Sequence, residues 1–133
     1  MGCFAVRFLL DTHAVIWASE DDPRLGPAAR KALGESTYGD AVISDITLLE
    51  IAMLVEKERL FINLPLKRYL LNIQENYPLI SIEAQVAAEV YSLPLKQADP
   101  FDRVIVSTAR YHSLPLITRD QAISHSNLVE VVW

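Results

Sequence analysis

Apolar residues along this chain gather into short runs that alternate with segments of helical spacing, from one end to the other. Ala5 to Leu10 is dense enough to be a buried strand, and Asp11 ends it. Val15, Ile16 and Trp17, within His13 to Ser19, predict a helix that Asp21-Asp22-Pro23 breaks; Gly26-Pro27 opens the next helix and Gly34 can close it. Ala41-Val42-Ile43 reads as a second strand. Ser44 or Asp45 can cap the helix that follows, where Ile46, Leu49, Met53 and Leu48, Ile51, Ala52, Val55 form two adjoining apolar stripes around Glu50. Pro65 starts a helix reaching Glu75, Leu79-Ile80 is a brief strand, and Ser81 can cap a helix over Glu83 to Leu93. Asp99-Pro100, an N-cap followed by proline at the first helical position, opens a helix through Val104, Ile105 and Ala109. Pro115 to Thr118 and Leu128 to Trp133 read as the remaining strands. Such alternation predicts an α/β fold, a mainly parallel central sheet covered on both faces.

Four acids interrupt or end these apolar segments: Asp11, Glu50, Asp102 and Asp120. Ionised oxygen loses more hydration on burial than apolar surroundings return, so carboxylates in such places need partners. In open α/β sheets, ligands collect outside the carboxyl ends of the strands, where Asp11 and Asp120 stand. Asp102 in a first helical turn and Glu50 one turn into its helix can face the same crevice. If the four meet, oxygen ligands suit Mg²⁺ or Mn²⁺, and the chain looks like a metal-dependent hydrolase. Three of the four also have a plainer reading, and Glu50, among apolar neighbours, is harder to explain away. Asp11 can be a turn residue ending a strand, Asp120 can cap a short final helix, and Asp102 can answer a helix dipole. Asp99 is read as the cap alone, and Trp17 as core or, alternatively, a partner-facing anchor.

With 133 residues, 51% of them apolar, the chain can bury one full core, so residues 1–133 are expected to form a single domain. Seventeen acidic residues against twelve basic ones leave a charge of −5, which argues against general nucleic-acid adhesion but fits acids concentrated at a metal site. The single Cys3 cannot form an internal disulfide, and Met1 to Val6 is too short before Arg7 for a signal peptide or spanning helix. A soluble, cytoplasmic protein is expected. His13, His112 and His125 lack zinc-site spacing, and the four isolated glycines make no phosphate loop.

Leu9-Leu10-Asp11-Thr12-His13, Ser44 to Glu50-Ile51-Ala52, Asp99-Pro100-Phe101-Asp102-Arg103 and Leu116-Ile117-Thr118-Arg119-Asp120 together closely resemble PIN-domain ribonucleases of the VapC toxin type, over nearly the whole chain. The resemblance implies a PIN-like three-layer α/β/α sandwich, commonly a homodimer, that cleaves RNA and is silenced by a cognate antitoxin. By it, Asp11, Glu50, Asp102 and Asp120 correspond to the acidic quartet holding Mg²⁺ or Mn²⁺, and Thr12 and Thr118 to hydroxyl residues beside it. An antitoxin would place a basic residue in the acidic crevice and an apolar helix nearby, with Trp17 and the first two helices as the candidate surface. Relatives often carry histidine just before the Asp-Pro-Phe-Asp block, where this chain has Lys96, Gln97 and Ala98.

Two other readings compete. An Mg²⁺-dependent phosphoryl-transfer protein of the receiver or dehalogenase type would also place an aspartate after the first strand. A dehalogenase-like site, however, wants a second aspartate where His13 stands, and a receiver wants a lysine where Thr118-Arg119-Asp120 stands. A catalytically silent PIN-like binding module is disfavoured by the intact acids.

Overall fold

The computed structural model describes residues 6–96 and 98–133; Cys3, Ala5 and Gln97 lie outside the described residues. Five strands, β1 (Phe8–Leu10), β2 (Ala41–Ser44), β3 (Leu79–Ile80), β4 (Leu116–Ile117) and β5 (Val131–Val132), form one sheet in the order β3-β2-β1-β4-β5. Every pairing is parallel. Seven α-helices are seen among the described residues: α1 (Thr12–Ser19), α2 (Pro27–Gly34), α3 (Ile46–Glu56), α4 (Leu66–Asn76), α5 (Ala84–Glu89), α6 (Pro100–Tyr111) and α7 (Gln121–Ser126).

Strand side chains alternate between faces, so each strand serves two cores. Leu10, Ile43 and Ile117 join one apolar cluster with residues of α1 to α4. Leu9, Val42 and Leu116, one residue earlier in each strand, join another with residues of α6 and α7. All six are buried to within 2%. The sequence therefore shows continuous apolar runs, and the outcome is the α/β/α layering expected of it.

Some element boundaries differ from those the sequence suggests. The helix expected over Glu83 to Leu93 ends at Glu89 and passes through a 3₁₀ turn at Val90–Ser92, because Pro94 holds Leu93 extended. No side chain caps α5, so Ser81 does not serve there. The last strand shrinks from Leu128–Trp133 to two residues, since β4 offers only two partners. No helix among the described residues is long and apolar enough to cross a membrane.

Chain order and sheet order part company at β1, whose neighbours are β2 on one side and β4 on the other. The connections from these two central strands leave in opposite directions and open a crevice at their carboxyl ends. That is where Asp11 and Asp120 follow their strands.

Trp133 closes the first core. Its backbone oxygen accepts the Ala28 and Ala29 amides at the start of α2, at 2.9 and 3.1 Å, and its indole meets Trp17 edge-on. Gly26, the residue before α2, makes this approach possible: a Cβ there would lie 2.2 Å from the Trp133 oxygen and 2.6 Å from its ring. Gly26→Ala should therefore lower unfolding stability by about 1–3 kcal/mol through overpacking. Gly34→Ala, with nothing within 4 Å of the added carbon, should gain about 0.4–1 kcal/mol instead. Chemical denaturation of the two variants checks the contrast, and an unaffected Gly26→Ala would contradict it.

Candidate active site

Aspartate is favoured at helix N-caps because its oxygen accepts an amide that the first turn leaves unpaired. Three aspartates here do so at one place. Asp11 Oδ1 accepts the Ala14 amide of α1 at 2.8 Å, Asp99 Oδ1 the Asp102 amide of α6 at 2.8 Å, and Asp120 Oδ1 the Ile123 amide of α7 at 3.0 Å. All three line a cavity of about 230 Å³ together with Glu50, Asp102, His13, Trp17 and Arg119. The four acids singled out in the sequence are thus brought to one crevice, and Asp99 joins them. Asp120 caps its short final helix as its plainer reading has it, Asp11 caps α1 rather than only ending a strand, and both still line the crevice.

Asp11 is the most constrained. Beyond the Ala14 bond, its Oδ2 accepts the Thr118 hydroxyl, and the Thr118 oxygen in turn accepts the Asp120 amide at 3.1 Å. One hydroxyl thereby joins the ends of β1 and β4 and orients two acids. On the opposite side, Thr12 Oγ1 stands 3.2 Å from the buried Thr47 hydroxyl, beside Glu50. Glu50 is only 5% exposed, and its Oε1 has no hydrogen-bond partner.

Burial and mutual repulsion set the charges. Desolvation pushes the Glu50 carboxyl up from 4.5 to about 7, aided by Asp99 and Asp11 and opposed by the Thr12 hydroxyl. Asp102 is pushed up from 3.8 to about 7, first by desolvation and then by Asp99, Glu50, Asp11 and Asp120. Asp11 is also raised by burial, against the pull of the Thr118 and Ala14 bonds and of His13. The acids that are not caps, Glu50 and Asp102, therefore hold protons near neutrality.

Such a crevice fits a hard cation. Its donors are carboxylate oxygens, as Mg²⁺ and Mn²⁺ prefer, and the orphaned Glu50 oxygen is a buried polar atom lacking a partner. The side chains are not drawn into a closed shell, since no three His, Cys, Asp or Glu among the described residues group tightly enough to hold an ion as they stand. Asp11, Glu50, Asp102 and Asp120 are the residues that could close on one.

Trp17 is not an exposed anchor. It is 5% exposed, packed by Trp133 and His13 and flanked by the guanidinium groups of Arg24 and Arg119 at 4.9 and 4.6 Å from its ring centre. Of the two sequence readings of Trp17, core is the one that holds, beside the buried Ala14, Val15 and Ile16 of α1. Two supporting residues are given no role by the sequence reading. Thr47 is an ordinary helical threonine until its burial against Thr12 is seen. Arg103 gives its guanidinium to the carbonyls of Val90, Leu93, Leu95 and Ala98, which holds the segment leading into Asp99. Its place in Asp99-Pro100-Phe101-Asp102-Arg103 could have suggested such a role.

The sequence profile of the PIN domain matches residues 8–127. Ribonuclease VapC22 of Mycobacterium tuberculosis is 34% identical over 128 residues, covering 94% of this chain and 97% of that protein. Among solved structures, FitAcB from Neisseria gonorrhoeae is 26% identical with a TM-score of 0.66, covering 93% of this chain and 95% of its own. DNA-bound VapBC from Salmonella typhimurium shares the fold with a TM-score of 0.71 at 20% identity, covering 96% and 97%.

A crowded acidic crevice should make stability depend on pH. Glu50 and Asp102 have folded values above their ordinary ones, so the unfolded chain gives up these protons at lower pH than the fold does. The stabilisation is complete below the ordinary values of 4.5 and 3.8 and is lost as pH rises through about 7. In chelator, the melting temperature should fall between about pH 5 and about pH 8, and Glu50→Gln should flatten that fall. A melting temperature that rises over this window would overturn the assignment.

Proposed function

The chain belongs to the PIN domain family, and on that premise we propose that it is a metal-dependent ribonuclease acting as the toxin of a toxin-antitoxin pair. The observation that carries the proposal is the gathering of Asp11, Glu50, Asp102 and Asp120 in one crevice at the carboxyl ends of β1 and β4, in a chain 34% identical to a ribonuclease. We assign these four as the acidic residues of the reaction, with Thr12 and Thr118 in support. RNA is the substrate, and the protein acts in the cytoplasm as a homodimer.

Mg²⁺ or Mn²⁺ would be held by these four carboxylates; its charge would offset theirs and its Lewis acidity would favour attack of water on a phosphodiester. The chain's own residues do the rest. Asp11 is held in one orientation by the Ala14 amide and the Thr118 hydroxyl, so it offers its lone pairs without rearranging. The Asp120 amide fixes the Thr118 hydroxyl and ties the outer acid to the inner one. Glu50, buried and with no hydrogen-bond partner at Oε1, can hold the cation or orient the water beside it. Purified protein should cleave RNA with Mg²⁺ or Mn²⁺ and stop in chelator. Asp11→Asn and Asp102→Asn should each lose about 100-fold or more in rate. Chelator-resistant cleavage would end the metal mechanism.

An antitoxin partner follows from the same charge. Guanidinium binds a carboxylate as a two-bond fork and competes with the cation, so an inhibitor that inserts arginine into the crevice is expected. With Trp17 buried, we assign its apolar contact to the cavity of about 690 Å³ along α1, α2 and α4, lined by Leu33, Tyr38, Leu64 and Tyr77. Expression of the chain should arrest growth, and co-expression of the small protein encoded beside it should restore growth. Tyr38→Asp, at a residue 68% exposed, should remove that rescue without reducing toxicity. Arrest that the neighbour never relieves would refute the pairing, and normal rescue of Tyr38→Asp would refute the surface.

A further inference from the structure

We infer that Arg119 is the residue that grips an RNA phosphate at the edge of the acidic crevice, an inference that rests on the ribonuclease reading above. Phosphodiester substrate carries negative charge into a crevice lined by five carboxylates, so something must hold it against repulsion. Arg119 is the one arginine or lysine lining that crevice among the described residues. Its guanidinium lies over the Trp17 ring at 4.6 Å, and Trp17 is immobilised by Trp133 and His13. A guanidinium drawn to a ring by cation–π attraction keeps its N–H donors available for an anion.

Arg24 shows the contrast on the same indole. It lies 4.9 Å from the Trp17 ring, but its edge is committed to Asp22 through bonds of 3.1 and 2.8 Å, and Asp22 is held at about 2 by that pairing. Arg119 makes no hydrogen bond or ion pair with any described residue, although Asp99, Asp102 and Asp120 line the same cavity. It is exposed, so its donors face solvent rather than a core. A guanidinium placed over an indole with its donors unoccupied, beside the residues of the reaction, suits the paired oxygens of a phosphate. It also explains how a chain of net charge −5 can hold RNA locally, without a broad basic surface.

The experiment measures steady-state cleavage of a single-stranded RNA oligonucleotide in Mn²⁺ at several salt concentrations, for wild type, Arg119→Ala and Arg119→Lys. Loss of one charge-assisted contact should raise KM by about tenfold or more in Arg119→Ala. The slope of log KM against log salt should drop by about 0.7, the value for one phosphate contact on a single strand. Arg119→Lys should keep the salt slope but not the low KM, since it restores the charge and not the fork. Melting temperatures in Mn²⁺ should match wild type. Unchanged KM and slope in Arg119→Ala would overturn the proposal. So would unchanged KM with a larger Mn²⁺-induced rise in melting temperature, because Arg119 would then only offset the carboxylates. A wild type that cleaves no RNA would overturn the ribonuclease reading and this inference with it.

Discussion

Three helix N-termini directed at one crevice are the constraint around which the rest is arranged. Each helix begins with amides that no intrahelical carbonyl accepts, and each borrows an aspartate oxygen for the purpose: Asp11 for α1, Asp99 for α6 and Asp120 for α7. The same side chains that start the helices therefore bring negative charge to the carboxyl ends of β1 and β4. Partial positive charge at the helix ends offsets some of it. Secondary structure and site chemistry share atoms here, so the acids cannot be moved without also altering how the helices begin.

Glu50 and Asp102 lie outside that arrangement and bear its cost. Neither caps a helix, both are shielded from water, and both face the charges of the capping acids. Their carboxyls rise to about 7, and the buried Asp11 is raised too, against the pull of the Thr118 hydroxyl and the Ala14 amide. A protein selected for stability alone would fill these two positions with neutral side chains, as happens elsewhere when strain is retained for function.

Much of this was legible in the sequence, for identifiable reasons. β1 and β4 announce themselves because both of their faces are buried, and Asp11 and Asp120 stand out by ending those runs. Asp99-Pro100 specifies a helix start through local chemistry alone. Glu50 was conspicuous as a charge in the middle of α3, among apolar residues, with the next one only at Glu56 where the helix ends. What sequence could not supply was anything that depends on distance across the fold. Thr47 matters through Thr12, 35 residues away, and Trp17 is buried by Trp133, at the far end of the sheet order. Asp99 was legible as a cap, but its place among the other acids depends on where α6 docks. The boundaries that shifted, at β5 and α5, did so because a two-residue partner strand and Pro94 overruled local apolar content.

The hydroxyl bond from Thr118 to Asp11 spans 107 positions of chain. Asp11 leaves the ribosome 107 positions ahead of the Thr118 that seats it, and Asp120 follows Thr118. Any shorter nascent chain or prematurely ended fragment has β1 without β4, an unanchored Asp11 and no Asp120. The acidic crevice is therefore complete only once the segment carrying β4, Thr118 and Asp120 has been made and has docked beside β1.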